Sequence, residues 1–331
     1  MAIRDPYLLF LGDAADQLAA KTAQGIAHWR PEKAVGQMRL AGCNADLGLR
    51  DMTLDEAAEA GAKTLVVGVA NRGGVISQAW IAVLERALIL GMDLAAGLHN
   101  RLADVPSLAA VAEQHGRRLF DVRHPSETFE VGNGRKRGGK RLLTVGTDCS
   151  VGKMYASLAL EREMQAAGMK AEFRATGQTG ILIAGSGVSV DAVVADFISG
   201  AVEWLSPAND PDHWDLIEGQ GSLFHPSFAG VSMGLLHGAQ PDALVMCHEP
   251  TRTHMRGVPE YPIPGLKACV EANLEAAKLT NPAARFVGVA VNTSAMPEGE
   301  AAPLLDHIQR DLGLPAVDPF KDGCAPILER L

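Results

Sequence analysis

No two cysteines in this sequence form a Cys-x-x-Cys pair. The five present, Cys43, Cys149, Cys247, Cys269 and Cys324, are odd in number and widely scattered. Neither a disulfide framework nor a zinc site is therefore supported, which suits a reducing compartment. No apolar run is long enough to cross a bilayer. The opening Met1-Ala-Ile-Arg-Asp-Pro-Tyr7 leads into a short apolar strand without the layout of a signal peptide. The expected location is the cytoplasm, with no membrane partner. Positive charge is in deficit, with 30 Lys and Arg against 39 Asp and Glu and a formal net charge of −9. That balance speaks against a nucleic-acid partner, since phosphate backbones are held by excess Lys and Arg. The one basic run, Arg135-Lys-Arg-Gly-Gly-Lys-Arg141, has no interleaved aromatics and reads as a solvated linker.

What the chain does have is length and rhythm. Its 331 residues, 47% of them hydrophobic, are comfortable for two domains with a substantial core. Apolar β-type runs alternate with amphipathic stretches from end to end, the pattern of parallel sheets covered by helices. The first half reads as strands at 7–11, 35–39, 64–69, 93–96 and 118–122, with helices at 54–60, 76–90 and 107–115. Gly61, Gly91 and Gly116 follow those helices as terminators. The stretch 124–140, with Pro125 and four glycines, breaks the rhythm and reads as an interdomain connection. Strands are then expected at 141–145, 170–174, 216–218, 243–247, 286–291 and 315–318, with helices at 152–167, 190–205, 265–279 and 302–312. The expected organisation is an α/β chain: a Rossmann-like N-terminal domain over 1–124, a linker over 125–140, and a P-loop NTPase-like parallel-sheet domain over 141–331.

The strongest chemical signal is Gly146-Thr147-Asp148-Cys149-Ser150-Val151-Gly152-Lys153-Met154, directly after an apolar strand and opening a helix. Backbone N–H groups in such a loop, together with the positive end of the helix, cradle phosphate oxygens, and Lys153 adds a point charge. The run departs from the usual P-loop in its Gly-x5-Gly-Lys spacing and in Met154, where a Ser or Thr hydroxyl would ligate Mg²⁺. Whether Mg²⁺ takes part is left open, and the lost hydroxyl weakens the case for nucleotide hydrolysis. Elsewhere, Asn71-Arg-Gly-Gly74 could hold an anion. Gly12 stands without the glycine spacing of a dinucleotide site, so none is assigned to the first half.

The phosphate loop resembles that of dethiobiotin synthetase, as does Asp215-Leu-Ile-Glu218-Gly-Gln-Gly221, similar to that family's strand ending in Glu-Gly-x-Gly. Glu218, at the end of a buried strand, could hold a metal, act as a base or cap a turn. Over essentially the whole chain the resemblance is to the D-glutamate N-acetyltransferases. It is carried by the phosphate loop, Thr176-Gly-Gln-Thr-Gly180, the run from Val190 to Glu203, Glu218-Gly-Gln-Gly-Ser-Leu223, His225-Pro226 and His248-Glu-Pro-Thr-Arg252. What it implies is transfer of an acetyl group from acetyl-CoA, as co-substrate, to the amino group of D-glutamate. Coenzyme A carries phosphates that need holding but no hydrolysis, which suits Met154.

Such chemistry needs a base for the substrate ammonium and donors for the tetrahedral oxyanion. Glu218 and His225 are the base candidates, with Lys153 in the catalytic loop. Oxyanion donors are sought among the loop amides and those of Gly219–Ser222. The two carboxylates of glutamate call for arginine forks, for which Arg72, Arg174, Arg252 and Arg256 are candidates beside ordinary salt-bridge roles. Cys149, expected at a helix N-terminus with a raised thiolate fraction, could carry the acetyl group or merely fill the loop. His248 and His254 lack a zinc spacing. Partners are expected to be small molecules, with self-association into a homo-oligomer. The rival readings are an ATP-dependent kinase or ligase and a non-catalytic nucleotide-binding module.

Overall fold

The computed structural model describes residues 2–69 and 76–331. Two compact units share the chain: residues 1–126 together with 177–192, and residues 127–176 together with 193–331.

In the first unit, β1 (Tyr7–Gly12), α1 (Lys21–Trp29), β2 (Ala34–Arg39), α2 (Leu54–Glu59), β3 (Thr64–Val67), α3 (Gln78–Ile89), β4 (Asp93–Ala96), α4 (Pro106–Gln114) and β5 (Leu119–Asp121) alternate. The five strands form one parallel sheet in the order β2-β1-β3-β4-β5, a doubly wound arrangement. Tyr7 to Leu11 are all fully buried because helices cover both faces of a parallel sheet. Each such leucine or phenylalanine contributes about 1.5–3 kcal/mol on burial. Thr53 and Glu56 close a reciprocal capping box at the start of α2. Gly61, Gly91 and Gly116 take positive φ at the helix ends, as their positions suggested.

The second unit holds β6 (Lys140–Gly146), α5 (Lys153–Ala166) and β7 (Ala171–Arg174). The chain then returns to the first unit for α6 (Gln178–Ala184), where Lys33 Nζ donates to Ala184 O at 2.6 Å and Ile3 N to Gly185 O at 2.7 Å. A division at 124/141 alone makes no provision for this excursion.

Back in the second unit follow α7 (Ile198–Leu205), β8 (Trp214–Ile217), α8 (Ala229–Ala239), β9 (Ala243–His248), a hairpin of β10 (His254–Met255) and β11 (Val258–Pro262), α9 (Leu266–Lys278), β12 (Arg285–Val291), α10 (Ala301–Leu312), β13 (Ala316–Val317) and α11 (Ala325–Leu328). The sheet order is β13-β12-β9-β6-β8-β7, with every pairing parallel. β6 lies between β8 and β9, so the chain reverses its direction of winding there, and its C-terminal edge is where such sheets hold ligands.

Two expectations are corrected. The helix anticipated over 190–205 is two 3₁₀ turns, Val190–Ala192 and Ala195–Phe197, before α7, with Val194 extended between them. The basic run is not a solvated linker. Arg137 donates to Ser206 O and Gly238 O, each at 2.8 Å. The fully buried Arg141 donates to Ser206 Oγ and to the carbonyls of Arg137, Gly138 and Pro207. Planar guanidinium forks in this segment tie backbone carbonyls of the second unit together.

Candidate functional site

Three adjacent strand ends frame the site. Glu218 follows β8, the loop from Gly146 follows β6, and His248 closes β9. Thr147 N donates to Cys247 O at 3.1 Å, fastening the start of the loop to β9. Beyond it, the N–H groups of Asp148, Cys149, Ser150, Val151 and Gly152 donate to nothing among the described residues. Ser150 and Gly152 take positive φ (55° and 102°) on either side of Val151. This alternation turns successive amides into one concavity that receives an anion. The helix starts only at Lys153, so its positive end also faces the loop. At Gly146 a Cβ would lie 3.0 Å from both Asp148 O and Lys153 Nζ, so the cradle has no room for a side chain there.

Lys153 is buried inside the cradle. Its Nζ donates to Asp148 O and Gly221 O, both at 2.8 Å. Burial pushes its pKa down, opposed by Cys247, Cys149, Asp148 and Glu218. Lys153 thereby joins the phosphate loop to the turn after β8. Thr144 strengthens that joint: its Oγ1 accepts from Gly219 N at 3.1 Å and donates to Lys153 O at 3.2 Å. A Cβ on Gly219 would lie 1.7 Å from Thr144 O, so only glycine permits this approach. Ser222 Oγ donates to Thr147 O at 3.1 Å. Gly219 N is engaged, whereas the N–H groups of Gln220, Gly221 and Ser222, like those of the loop, donate to nothing among the described residues.

Asp148 is fully buried. Its Oδ2 accepts from Arg252 Nη1 at 2.5 Å and from Arg256 N at 2.8 Å, while Oδ1 has no partner among the described residues. Asp148, Cys149 and His225 bring ligand atoms within 4.8 Å of one another. The surroundings do not fit a metal. Lys153, Arg256 and Arg252 all act on this cluster with positive charge, and both His225 nitrogens are in use. The setting suits an anion.

The candidate residues separate clearly. His225 Nε2 donates to Arg256 O and Nδ1 accepts from Ser227 N, both at 3.1 Å, with the ring against Phe228. It is a strut, with no lone pair left for a substrate proton. Glu218 is buried, with Oε2 accepting from Thr176 N at 2.9 Å and Oε1 from Gln220 Nε2 at 3.1 Å. Arg174 turns back along its strand to Asp215 and Glu172, away from the site, and is no substrate fork. Arg252 grips Asp148 together with Cys149 O and Ser150 O, so it shapes the cradle. Among the described residues, no hydrogen bond or ion pair holds the exposed guanidinium of Arg256. Arg72 and the run 71–74 lie outside the described residues. Cys149 precedes the helix by four residues, and burial raises its thiol pKa, with Lys153 the main opposing influence. The expected thiolate enrichment is therefore reversed. His248, for which the spacing to His254 offers no zinc role, has its ring partner, Thr147, 101 residues away.

No helix among the described residues is long and apolar enough to cross a membrane. Residues 38–125 match a family model described as the DUF1611_N Rossmann-like domain of unknown function, and residues 130–328 match its DUF1611_C P-loop counterpart. The chain is 60% identical over 329 residues to a D-glutamate N-acetyltransferase of Tritonibacter scottomollicae, covering 99% of each chain. It is 51% identical over 331 residues to a D-glutamate N-acetyltransferase of a Pseudoalteromonas species, covering all of both. The crystal structure of a DUF1611 family protein from Anabaena variabilis superposes with a TM-score of 0.82 at 31% identity, over 99% of each chain. The chain belongs to the DUF1611 family, with two D-glutamate N-acetyltransferases as full-length relatives.

Proposed function

We propose that this protein is an acyltransferase that moves the acetyl group of acetyl-CoA to the amino group of D-glutamate. The observation that carries the reading is the joint one of two full-length relatives that are D-glutamate N-acetyltransferases and a phosphate cradle lacking a hydroxyl at position 154. The five free amides and Lys153 hold phosphate oxygens of the co-substrate, for which Lys153 Nζ exchanges its two backbone carbonyls. Free amides at the loop mouth receive the oxyanion, and the Arg256 guanidinium offers a fork for a substrate carboxylate. Glu218 balances the charge of Lys153 and holds Thr176 and Gln220. Mg²⁺ has no role in this reading: Met154 supplies a thioether where a hard cation wants oxygen. The partners are small molecules, and a homo-oligomer in the cytoplasm belongs to the same proposal.

Thermal unfolding with acetyl-CoA, CoA, ATP or ADP tests the reading. Acetyl-CoA and CoA are expected to stabilise the fold, by about 2.7 kcal/mol at a hundredfold excess over Kd. Stabilisation by ATP or ADP alone would favour the kinase or nucleotide-module readings.

A further inference from the structure

The end of β9 carries an imidazole that the sequence reading left without a task. His248 is pinned on both sides of its strand. Thr147 N donates to the carbonyl just before it, that of Cys247, and Asn292 N donates to His248 O at 2.8 Å. Its Nδ1 lies 3.1 Å from the hydroxyl of the fully buried Thr147, the second residue of the phosphate loop. Its Nε2 has no partner among the described residues, and the ring is only half-buried. Asp148 at this edge also keeps an oxygen without a partner among the described residues, but that carboxylate is fully buried; His225, Glu218 and His248 differ sharply. Both nitrogens of His225 and both oxygens of Glu218 accept or donate within the protein, whereas His248 keeps one nitrogen open.

We infer that His248 is the general base of the reaction, taking through Nε2 the proton of the substrate's ammonium. The inference rests on the acetyl-transfer reading above. Nε2 takes one proton of the ammonium and passes it to solvent; as the freed amine attacks the thioester carbon a C–N bond forms, and the nitrogen's second proton passes to Nε2. Collapse of the tetrahedral intermediate breaks the C–S bond, and the proton moves from the imidazolium to the departing thiolate, restoring the neutral ring. With Nε2 as the basic nitrogen the neutral ring carries its hydrogen on Nδ1, and Thr147 Oγ1 accepts from Nδ1–H both in that tautomer and in the imidazolium. The charged groups acting on the ring are Glu249 and Arg252 of its own loop, while from the neighbouring strand ends Thr147 reaches the ring among the described residues. Burial dominates and lowers the pKa below the usual imidazole value of about 6.5, opposed by Glu249 and aided by Arg252. The ring is thus neutral, and able to accept a proton, near pH 7.

The test compares wild type with His248→Gln and His248→Ala, measuring kcat and KM across about pH 5 to pH 8, alongside acetyl-CoA affinity and thermal unfolding. The expected result is a kcat loss of about 10²–10⁴-fold in both variants with affinity and folding retained. Wild-type kcat should fall towards acid through an apparent pKa below the ordinary imidazole value, and the variants should lack that limb. Thr147→Val should shift the limb while leaving measurable turnover. A wild type that acetylates D-glutamate with no acid limb, or variants that keep the limb whatever their kcat, would overturn His248 as the base. A wild type with no turnover at all would instead overturn the acetyl-transfer reading.

Discussion

Arg252 Nη1 stands 2.5 Å from Asp148 Oδ2, joining residues 104 positions apart into one cradle wall. The carboxylate is fully buried and the guanidinium is a fifth exposed. The pair holds the loop in shape: the same guanidinium also reaches Cys149 O, and the Arg256 N–H completes Oδ2.

Removing Arg252 leaves a buried carboxylate without its counter-charge. Arg252→Ala is expected to destabilise the protein by about 3–5 kcal/mol, measured by urea unfolding. Asp148→Asn combined with Arg252→Gln should lose much less than the sum of the single changes. Additive losses would mean that the two side chains act independently.

Lys153→Met retains an apolar stem and deletes the charge. Affinity for acetyl-CoA in calorimetry is expected to fall by about 1.5–3 kcal/mol, the value of a charge-assisted hydrogen bond. The ligand-free fold should suffer less, because burial already disfavours that charge. Unchanged affinity in folded protein would remove Lys153 from the cradle.

Gly219→Ala places a methyl group 1.7 Å from Thr144 O, where backbone has to move. Overpacking of this kind costs about 1–3 kcal/mol, and the turn that carries Glu218 shifts with it. We expect a lower melting temperature and weaker acetyl-CoA binding together. A variant matching wild type in both would contradict the close approach of β6 and the turn after β8.

Cys149→Ala is expected to keep most of its activity, since burial holds the thiol protonated and direct attack by the amine requires no acyl-enzyme. Intact-protein mass spectrometry after brief exposure to acetyl-CoA should show no adduct at this residue. An acetyl group on Cys149, with turnover lost in the alanine variant, would replace direct transfer by a two-step route.

The phosphate loop was legible because its determinants are local: a buried strand, spaced glycines, a lysine and a helix within a few residues. Strand positions were legible for a similar reason, since a short, fully apolar run such as Tyr7–Leu11 suits a strand covered on both faces. Other elements were hidden by weak local signals. No side chain caps the start of α1. The sequence of α8, Ala-Gly-Val-Ser-Met-Gly-Leu-Leu-His-Gly-Ala, has poor helix propensity. Packing against α7 favours it nonetheless, since a Cβ on Gly238 would lie 2.4 Å from Ser199 O.

The roles of the arginines were illegible because their partners are remote in sequence. Arg174 finds Asp215 across 41 positions, and Arg252 finds Asp148 across 104. The same holds for the histidines. Read along the chain, His225 and His248 are two ring side chains in polar loops. Only folding gives His225 two backbone partners and leaves His248 beside Thr147 with a nitrogen that has no partner among the described residues.

The central claim is acetyl transfer without nucleotide, and turnover tests it most directly. Purified protein is mixed with acetyl-CoA and D-glutamate in the absence of ATP, while free thiol release and N-acetylglutamate formation are followed together. The account predicts thiol and N-acetylated product in equal amounts. Thiol that fails to appear until ATP is added, or appears without acetylated product, would contradict it.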